Sequence, residues 1–176
     1  MKKISTLFKK NPERLGRVIN EVNPENEWVF TEGIPTRKFD GTSVAIIDGE
    51  LYKRYDVKKA CQEADKITVH HPHWIKCDPS DNSNRYHLEG FNSLAELGEI
   101  EDGTYELIGE KIQGNPEKIE GHHLVKHGSE VLLLADYSFE YFQWYLSKMD
   151  IEGIVFHHKK DDRMCKLRKS DFGIKR

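Results

Sequence analysis

The stretch Arg37-Lys38-Phe39-Asp40-Gly41-Thr42-Ser43 decides how this chain is read. It follows one strand-like run, Glu27-Trp28-Val29-Phe30, and leads into another, Val44-Ala45-Ile46-Ile47. A lysine, an aspartate two places on and then a glycine is an unusual set of residues for the mouth of an apolar strand. A lysine amine is a covalent nucleophile once it has lost its proton, and neighbouring cations favour that loss. Arg37 is adjacent, and further basic residues are expected from the far end of the chain. The glycine lets the backbone pass close to a bound group. Taken alone, the stretch reads equally well as a surface turn with a solvated lysine, so the remainder of the chain decides.

Working outward, Val44–Ile47, Asp48-Gly49 and Leu51–Arg54 make a β-hairpin with a favoured Asp-Gly turn. Lys53, Arg54, Lys58 and Lys59 form a basic cluster, which on an edge strand is also a common guard against aggregation. Asp102-Gly103 turns into Thr104–Gly109, a strand with Glu106 among apolar neighbours; a buried carboxylate needs a partner or a site. Glu110, Lys111, Gln113, Gly114, Asn115 and Pro116 follow as a polar loop. Near the C-terminus, Ile151–Phe156 is a strand that opens on Glu152, and Met164–Arg168 returns as a strand after the Asp161-Asp162 turn. Alternation puts Lys166 and Arg168 on one face. Beside a carboxylate, these two cations make a phosphate and metal-ion site, or else a surface salt-bridge ladder.

The rest is coarser. Residues 1–26 read as a basic arm with Lys9, Lys10, Arg14 and Arg17, and with a short helix over 13–22. Residues 66–92 read as a loop with Trp74 and Ile75 plugging the core; His70, His71, His73 and Cys77 match no structural zinc spacing. Ser93–Leu97 reads as a single helical turn. Val131–Leu134 is wholly apolar and reads as a central strand. Ser138 is placed to cap a helix to Met149, with Phe139, Phe142 and Leu146 as its core stripe.

Composition bounds the class. The 176 residues are 32% charged and 37% apolar, as in a folded globular chain. The net charge of −3 excludes a globally basic nucleic-acid coat, so any nucleic-acid contact must be a local patch. No apolar run is long enough for a membrane span or a signal peptide. Cys61, Cys77 and Cys165 have no tight spacing and read as reduced thiols. The expectation is an intracellular protein, cytoplasmic or nucleocytoplasmic, that is not secreted.

In order, the chain carries Lys38-x-Asp40-Gly41, Arg54, Glu106, Glu152-Gly153 and Lys166-x-Arg168, each on or beside a strand. This order resembles the covalent nucleotidyltransferases: ATP-dependent DNA and RNA ligases and RNA capping guanylyltransferases. The strings TRKFDGTSVAIIDGELYKRYD (36–56), GTYELIGEKIQGNP (103–116) and DIEGIVFHHKKDDRMCKLRKSDFG (150–173) look like a group of small ATP-dependent RNA ligases. The resemblance covers roughly residues 28–174.

The resemblance implies that Lys38 attacks the α-phosphate of ATP to give a lysyl-AMP. AMP then moves to an RNA 5′-phosphate, and an RNA 3′-hydroxyl displaces it. Lys166 and Arg168 would hold the α-phosphate. Mg2+ (or Mn2+) would be held mostly through water by Asp40, Glu106 and Glu152. Arg54 would touch the ribose or the RNA 5′-phosphate, Arg37 and Gly41 would line the nucleotide, and Lys53, Arg54, Lys58 and Lys111 would contact RNA. Glu110 stands where the group usually has proline; this leaves Glu106 or Glu110 to face the nucleotide, and the strand pattern favours Glu106. The expected fold is α+β, with two packed, mostly antiparallel sheets, peripheral helices, the nucleotide between the sheets and no C-terminal OB domain. Residues 1–26 would be the arm and 27–176 the nucleotidyltransferase domain of a monomer. Either the arm or the 70–92 loop would do the work of the absent domain. The competing readings are a minimal DNA ligase, a capping-type guanylyltransferase, or a non-catalytic ATP- or RNA-binding relic.

Overall fold

The computed structural model describes residues 4–56 and 72–176. The chain is mixed α+β and divides into two compact units. One is Asp40–His127; the other joins residues 4–39 to Gly128–Arg176. Among the described residues no helix is long and apolar enough to cross a membrane.

The discontinuous unit holds β1 (Ser5–Thr6), β2 (Phe8–Lys10), β3 (Val18–Val22), α1 (Val29–Glu32), β4 (Gly33–Lys38), α3 (Phe139–Lys148), β10 (Gly153–His158), β11 (Met164–Arg168) and α4 (Lys169–Phe172). Its main sheet has the order β1-β11-β10-β4, with β1 parallel to β11 and the other pairs antiparallel. One face carries Ile154, Phe156, Cys165 and Leu167, all 0% exposed. Phe142 and Leu146 of α3 share that core. Ser138 caps α3 by accepting the Tyr141 backbone N–H, as the sequence indicates.

The continuous unit holds β5 (Thr42–Ile47), β6 (Glu50–Tyr55), β7 (His73–Lys76), α2 (Arg85–Glu96), β8 (Gly103–Gly109) and β9 (His122–Lys126). They form an antiparallel sheet of order β7-β6-β5-β8-β9. The β5–β6 turn has Asp48 and Gly49 both at positive φ, the geometry a two-residue hairpin needs. Asp102 clamps the turn, accepting the Asp48 and Gly49 backbone N–H groups at 2.8 and 3.0 Å.

Several sequence expectations are corrected. Glu27–Phe30 is not a strand: Val29 starts α1, and β4 begins at Gly33, so Lys38 is the last residue of a strand. Four residues are too few for periodicity to separate a helical turn from a strand. Val18–Val22 is a strand, not part of a helix, and the first 26 residues bury Leu7 and Phe8 in the core. Val131–Leu134 is no central strand; only Val131 bridges, to Thr36, while Val131 and Leu133 are 57% and 92% exposed. Residues 72–92 are not a loop, because β7 and most of α2 lie there. Gly90, which weakens the helical reading of α2, sits where a Cβ would come within 3.0 Å of Leu107; its bareness lets α2 approach the sheet. Trp74 and Ile75 are half-buried and do not plug the core. Cys77 and Cys165 are free and buried, and burial pushes the Cys165 thiol up to about 12. Cys61, His70 and His71 lie outside the described residues.

Candidate active site

In the discontinuous unit, strand register assembles the charged residues. Gly153 is paired with Lys38 on one side and with Arg168 on the other, and Val155 likewise lies between Thr36 and Lys166. Directly paired residues share a face, so Lys38, Lys166 and Arg168 belong to the face opposite the core. Gly153 is what allows the strands this spacing: a Cβ there would stand 2.3 Å from the Leu167 carbonyl oxygen.

The Lys38 amine donates to the Glu152 carboxylate, and at 3.3 Å to the Phe39 carbonyl oxygen. The two charged side chains are 20% and 21% exposed. The sequence suggests a metal-facing role for Glu152; here it is the direct partner of Lys38. Lys166 is half-buried, and its amine makes no hydrogen bond or ion pair among the described residues. Burial first, then the charges of Arg168 and Lys38, push its ammonium below the ordinary lysine range. The charges of Glu152 and Asp171 act the other way but do not outweigh these; a half-buried cation with two cations beside it favours an anion such as a phosphate.

Arg168 is held differently. Its backbone N–H and guanidinium both donate to Asp171, at 2.8 Å to Oδ2 and 3.1 Å to Oδ1. Asp171 is 0% exposed and also accepts from Lys10 Nζ at 2.6 Å. Burial raises the carboxyl pKa, but the Lys10 and Arg168 hydrogen bonds outweigh it and bring the carboxyl below its usual range. Arg37 lies one place off the Lys38 face; its guanidinium stacks 4.5 Å over the Phe39 ring and reaches Glu130 at 3.3 Å.

In the continuous unit, Ser43 pairs with Glu106, and one place along, Val44 pairs with Lys53. By alternation Glu106 and Arg54 share one face, and Lys53 is on the other. There Lys53 Nζ donates to the buried Asn84 at 2.6 Å, so it does not join Arg54. Arg54 reaches Asp56 at 3.3 Å. Glu106 contacts His127 Nε2 at 2.8 Å, and Thr104 Oγ1 contacts the other ring nitrogen at 2.9 Å. Glu110 lies beyond the end of β8, exposed, and accepts the Gly121 N–H at 3.2 Å; Glu106 is therefore the glutamate on the Arg54 face. The Asp40 N–H donates to Glu117 at 2.8 Å. Gly41 serves packing: a Cβ would stand 2.2 Å from the Leu107 carbonyl oxygen and 2.9 Å from Glu106 Cγ. Its bareness answers to β8, where the sequence suggests a bound group. Lys111 is exposed, and Lys58 lies outside the described residues.

Sequence reading misses three residues here: His127, Glu130 and Asp171. The i, i+3 spacing of Arg168 and Asp171 is a readable hint. His127 and Glu130 sit in a turn with no pattern, and their partners are distant in the chain. Among the described residues no three His, Cys, Asp or Glu side chains gather as a metal cage.

No protein-family model and no curated protein sequence matches the chain. Solved structures do. The chain is similar to Naegleria gruberi RNA ligase. Two mutants of that ligase with AMP and Mn align at 15% and 17% identity, with TM-scores of 0.43 and 0.45. A mutant with ATP and Mn aligns at 18% identity and TM-score 0.44. Each alignment takes in 94% of this chain and 60% or 61% of the ligase chain, so the chain spans about three fifths of the ligase's length.

Proposed function

We propose that the protein is an ATP-dependent RNA ligase that joins 5′-phosphate and 3′-hydroxyl ends through a lysyl-AMP and an adenylylated RNA end. The observation that carries this reading is Lys166: a half-buried cation on the same sheet face as Lys38, with Arg168 beside it and no direct ion pair among the described residues. The order of charged residues along the chain supports the same reading.

In the first step the Lys38 ammonium gives up a proton, the neutral nitrogen forms a bond to the α-phosphorus of ATP as the bond to pyrophosphate breaks, and the nitrogen sheds its second proton to solvent or to the departing pyrophosphate. Such displacements need positioning and charge neutralisation more than covalent assistance. Lys166 and Arg168 neutralise the α-phosphate. Asp40, Glu106 and Glu152 are the acids that would hold Mg2+ or Mn2+ through water; the ion supplies further positive charge to the phosphates. Arg37 lines the nucleotide, Arg54 meets the ribose or the RNA 5′-phosphate, and Lys111 and Lys58 are candidate RNA contacts.

The test is incubation with radiolabelled ATP or GTP and magnesium, followed by denaturation. The ligase reading expects label from ATP alone, none in Lys38→Ala, and sealing of single-stranded 5′-phosphate RNA in preference to nicked DNA. Label from GTP alone would make the protein a capping-type enzyme, and no label at all would leave a binding module.

A further inference from the structure

A second cationic feature lies on the discontinuous unit, away from the Lys38 amine. The β2–β3 hairpin and α4 border a cleft of about 210 Å³, lined among others by Asn11, Arg14, Arg17, Phe139, Gln143 and Phe172. The Asn11 side chain shapes the hairpin turn, accepting the Glu13 and Arg14 N–H groups at 2.8 and 3.0 Å. Arg17 is fixed: its Nη1 donates to the Ser170 carbonyl oxygen at 2.7 Å, and its guanidinium lies where a Gly173 Cβ would come within 2.8 Å. Arg14 is exposed, and its guanidinium makes no hydrogen bond or ion pair among the described residues. Phe139 and Phe172 meet edge to face at 5.0 Å and pack against the core behind the cleft, whose surface is mostly polar.

Asp171, which also lines the cleft, carries no spare negative charge. Its Oδ1 accepts from both Lys10 and Arg168. Two cations on one oxygen leave the local balance positive, and two arginines stand on the cleft wall. The only acid in the turn between Asn11 and Arg17 is the exposed Glu13. The shared carboxylate also makes the feature continuous: Lys10 belongs to the hairpin and Arg168 to the sheet face that carries Lys38. A run of cations thus extends from Arg14 through Arg17 and Lys10 to Arg168.

We propose that this cleft binds a phosphodiester of the RNA strand beside the end being sealed. A planar, fixed guanidinium such as Arg17 suits paired contact with phosphate oxygens. Arg14 adds an exposed second charge. This assignment rests on the ligase reading for the identity of the strand.

The test measures binding of fluorescent single-stranded 5′-phosphate RNA by the full chain across a salt series. Arg14→Glu is expected to weaken binding about 10-fold and to lower the slope of log affinity against log salt by about one or more. Arg14→Lys keeps the charge and should restore most of the affinity. Gln143→Glu adds an acid to the cleft from an exposed position on α3, and should weaken binding without touching any basic residue. Circular dichroism and thermal midpoints of the variants should match the wild type. If Arg14→Glu and Gln143→Glu both bind RNA with wild-type affinity and salt slope, the cleft is not an RNA site. Lysyl-AMP formation by the wild type separates the two ideas. Label without any Arg14 or Gln143 effect overturns the cleft alone. RNA binding that depends on Arg14, with no label from ATP, overturns the ligase reading and leaves the cleft standing.

Discussion

Lys38 and Glu152 meet as an ion pair at the end of β4 and just ahead of β10, with both side chains about four-fifths buried. An ion pair so placed fixes where the amine sits before any nucleotide arrives. On the proposed ligase reading, the Lys38 nitrogen would exchange its bond to Glu152 for one to phosphorus, and the Glu152 carboxylate would be left to meet a hydrated cation. Glu152→Gln retains an acceptor for the amine and removes the charge. It is expected to cut the rate of lysyl-AMP formation by about 100-fold or more, the scale seen when one electrostatic group is lost from a polar transition state. Single-turnover labelling with ATP measures this, and a near-normal rate would remove Glu152 from the mechanism.

Lys166 is the cation with the most to gain from a phosphate. Lys166→Ala should abolish labelling. Lys166→Arg keeps the charge but changes its shape and reach, and should leave a slow enzyme with a raised KM for ATP. The direction of its pKa shift bears on pH. The neutral amine is favoured by burial and by Arg168 and Lys38, so the ammonium is lost at a lower pH than from an ordinary lysine. Labelling that requires the Lys166 charge should therefore fall on the alkaline side earlier in wild type than in Lys166→Arg.

His127 holds Glu106 by one ring nitrogen and Thr104 by the other. Such a bridge orients a carboxylate; it touches no reacting atom. His127→Ala is expected to lower the labelling rate by about 10-fold, the low end for removing an outer partner of a metal-facing group. His127→Gln, which retains a hydrogen-bonding head, should recover part of that loss. Equal defects in both variants would mean that the ring serves packing alone.

Local chemistry was the legible part of this chain. The Asp48-Gly49 turn, the Ser138 cap and the Lys166/Arg168 alternation each depend on residues within a few places of one another. The long-range parts were hidden. Lys10 and Asp171 are 161 residues apart, and nothing in either neighbourhood announces the other. Reading 66–92 as one loop hid α2, whose start at Arg85 lies inside that span and whose end at Glu96 lies beyond it. Val131–Leu134 misled in the opposite direction: four apolar residues in a row mark burial only if both faces of the segment are covered, and Val131 and Leu133 are not. That Lys38 touches Glu152 was not legible, since the pair depends on strand register.

Asp171 should show itself in acid. Its carboxyl titrates below the usual range in the folded chain, so its contribution is fully present above the ordinary carboxylate pKa of roughly 4. It is lost as pH falls through the depressed folded value. Asp171→Asn should cost about 2–3 kcal/mol at neutral pH. That is less than for a wholly buried pair, because Lys10 and Arg168 remain partly in solvent. Thermal midpoints measured from about pH 6 downward should converge for wild type and variant as the wild-type carboxyl protonates. Parallel curves, with the gap intact in acid, would show that Asp171 acts through shape and not through charge.

Gly41 offers the sharpest separation of structure from chemistry. Its place beside Lys38 and Asp40 suggests room for a nucleotide, whereas a Cβ there would stand 2.2 Å from a backbone oxygen of β8, which cannot swing aside. Gly41→Ala should therefore displace β5 from β8 and destabilise the Asp40–His127 unit by about 1–3 kcal/mol, the range for overpacking a closed site. A lower urea midpoint with an unchanged slope would be its signature. The same shift moves the backbone that carries Glu106, so labelling from ATP should fall together with stability. A variant as stable as wild type that had lost only its affinity for ATP would reverse the assignment and make Gly41 a ligand-facing glycine.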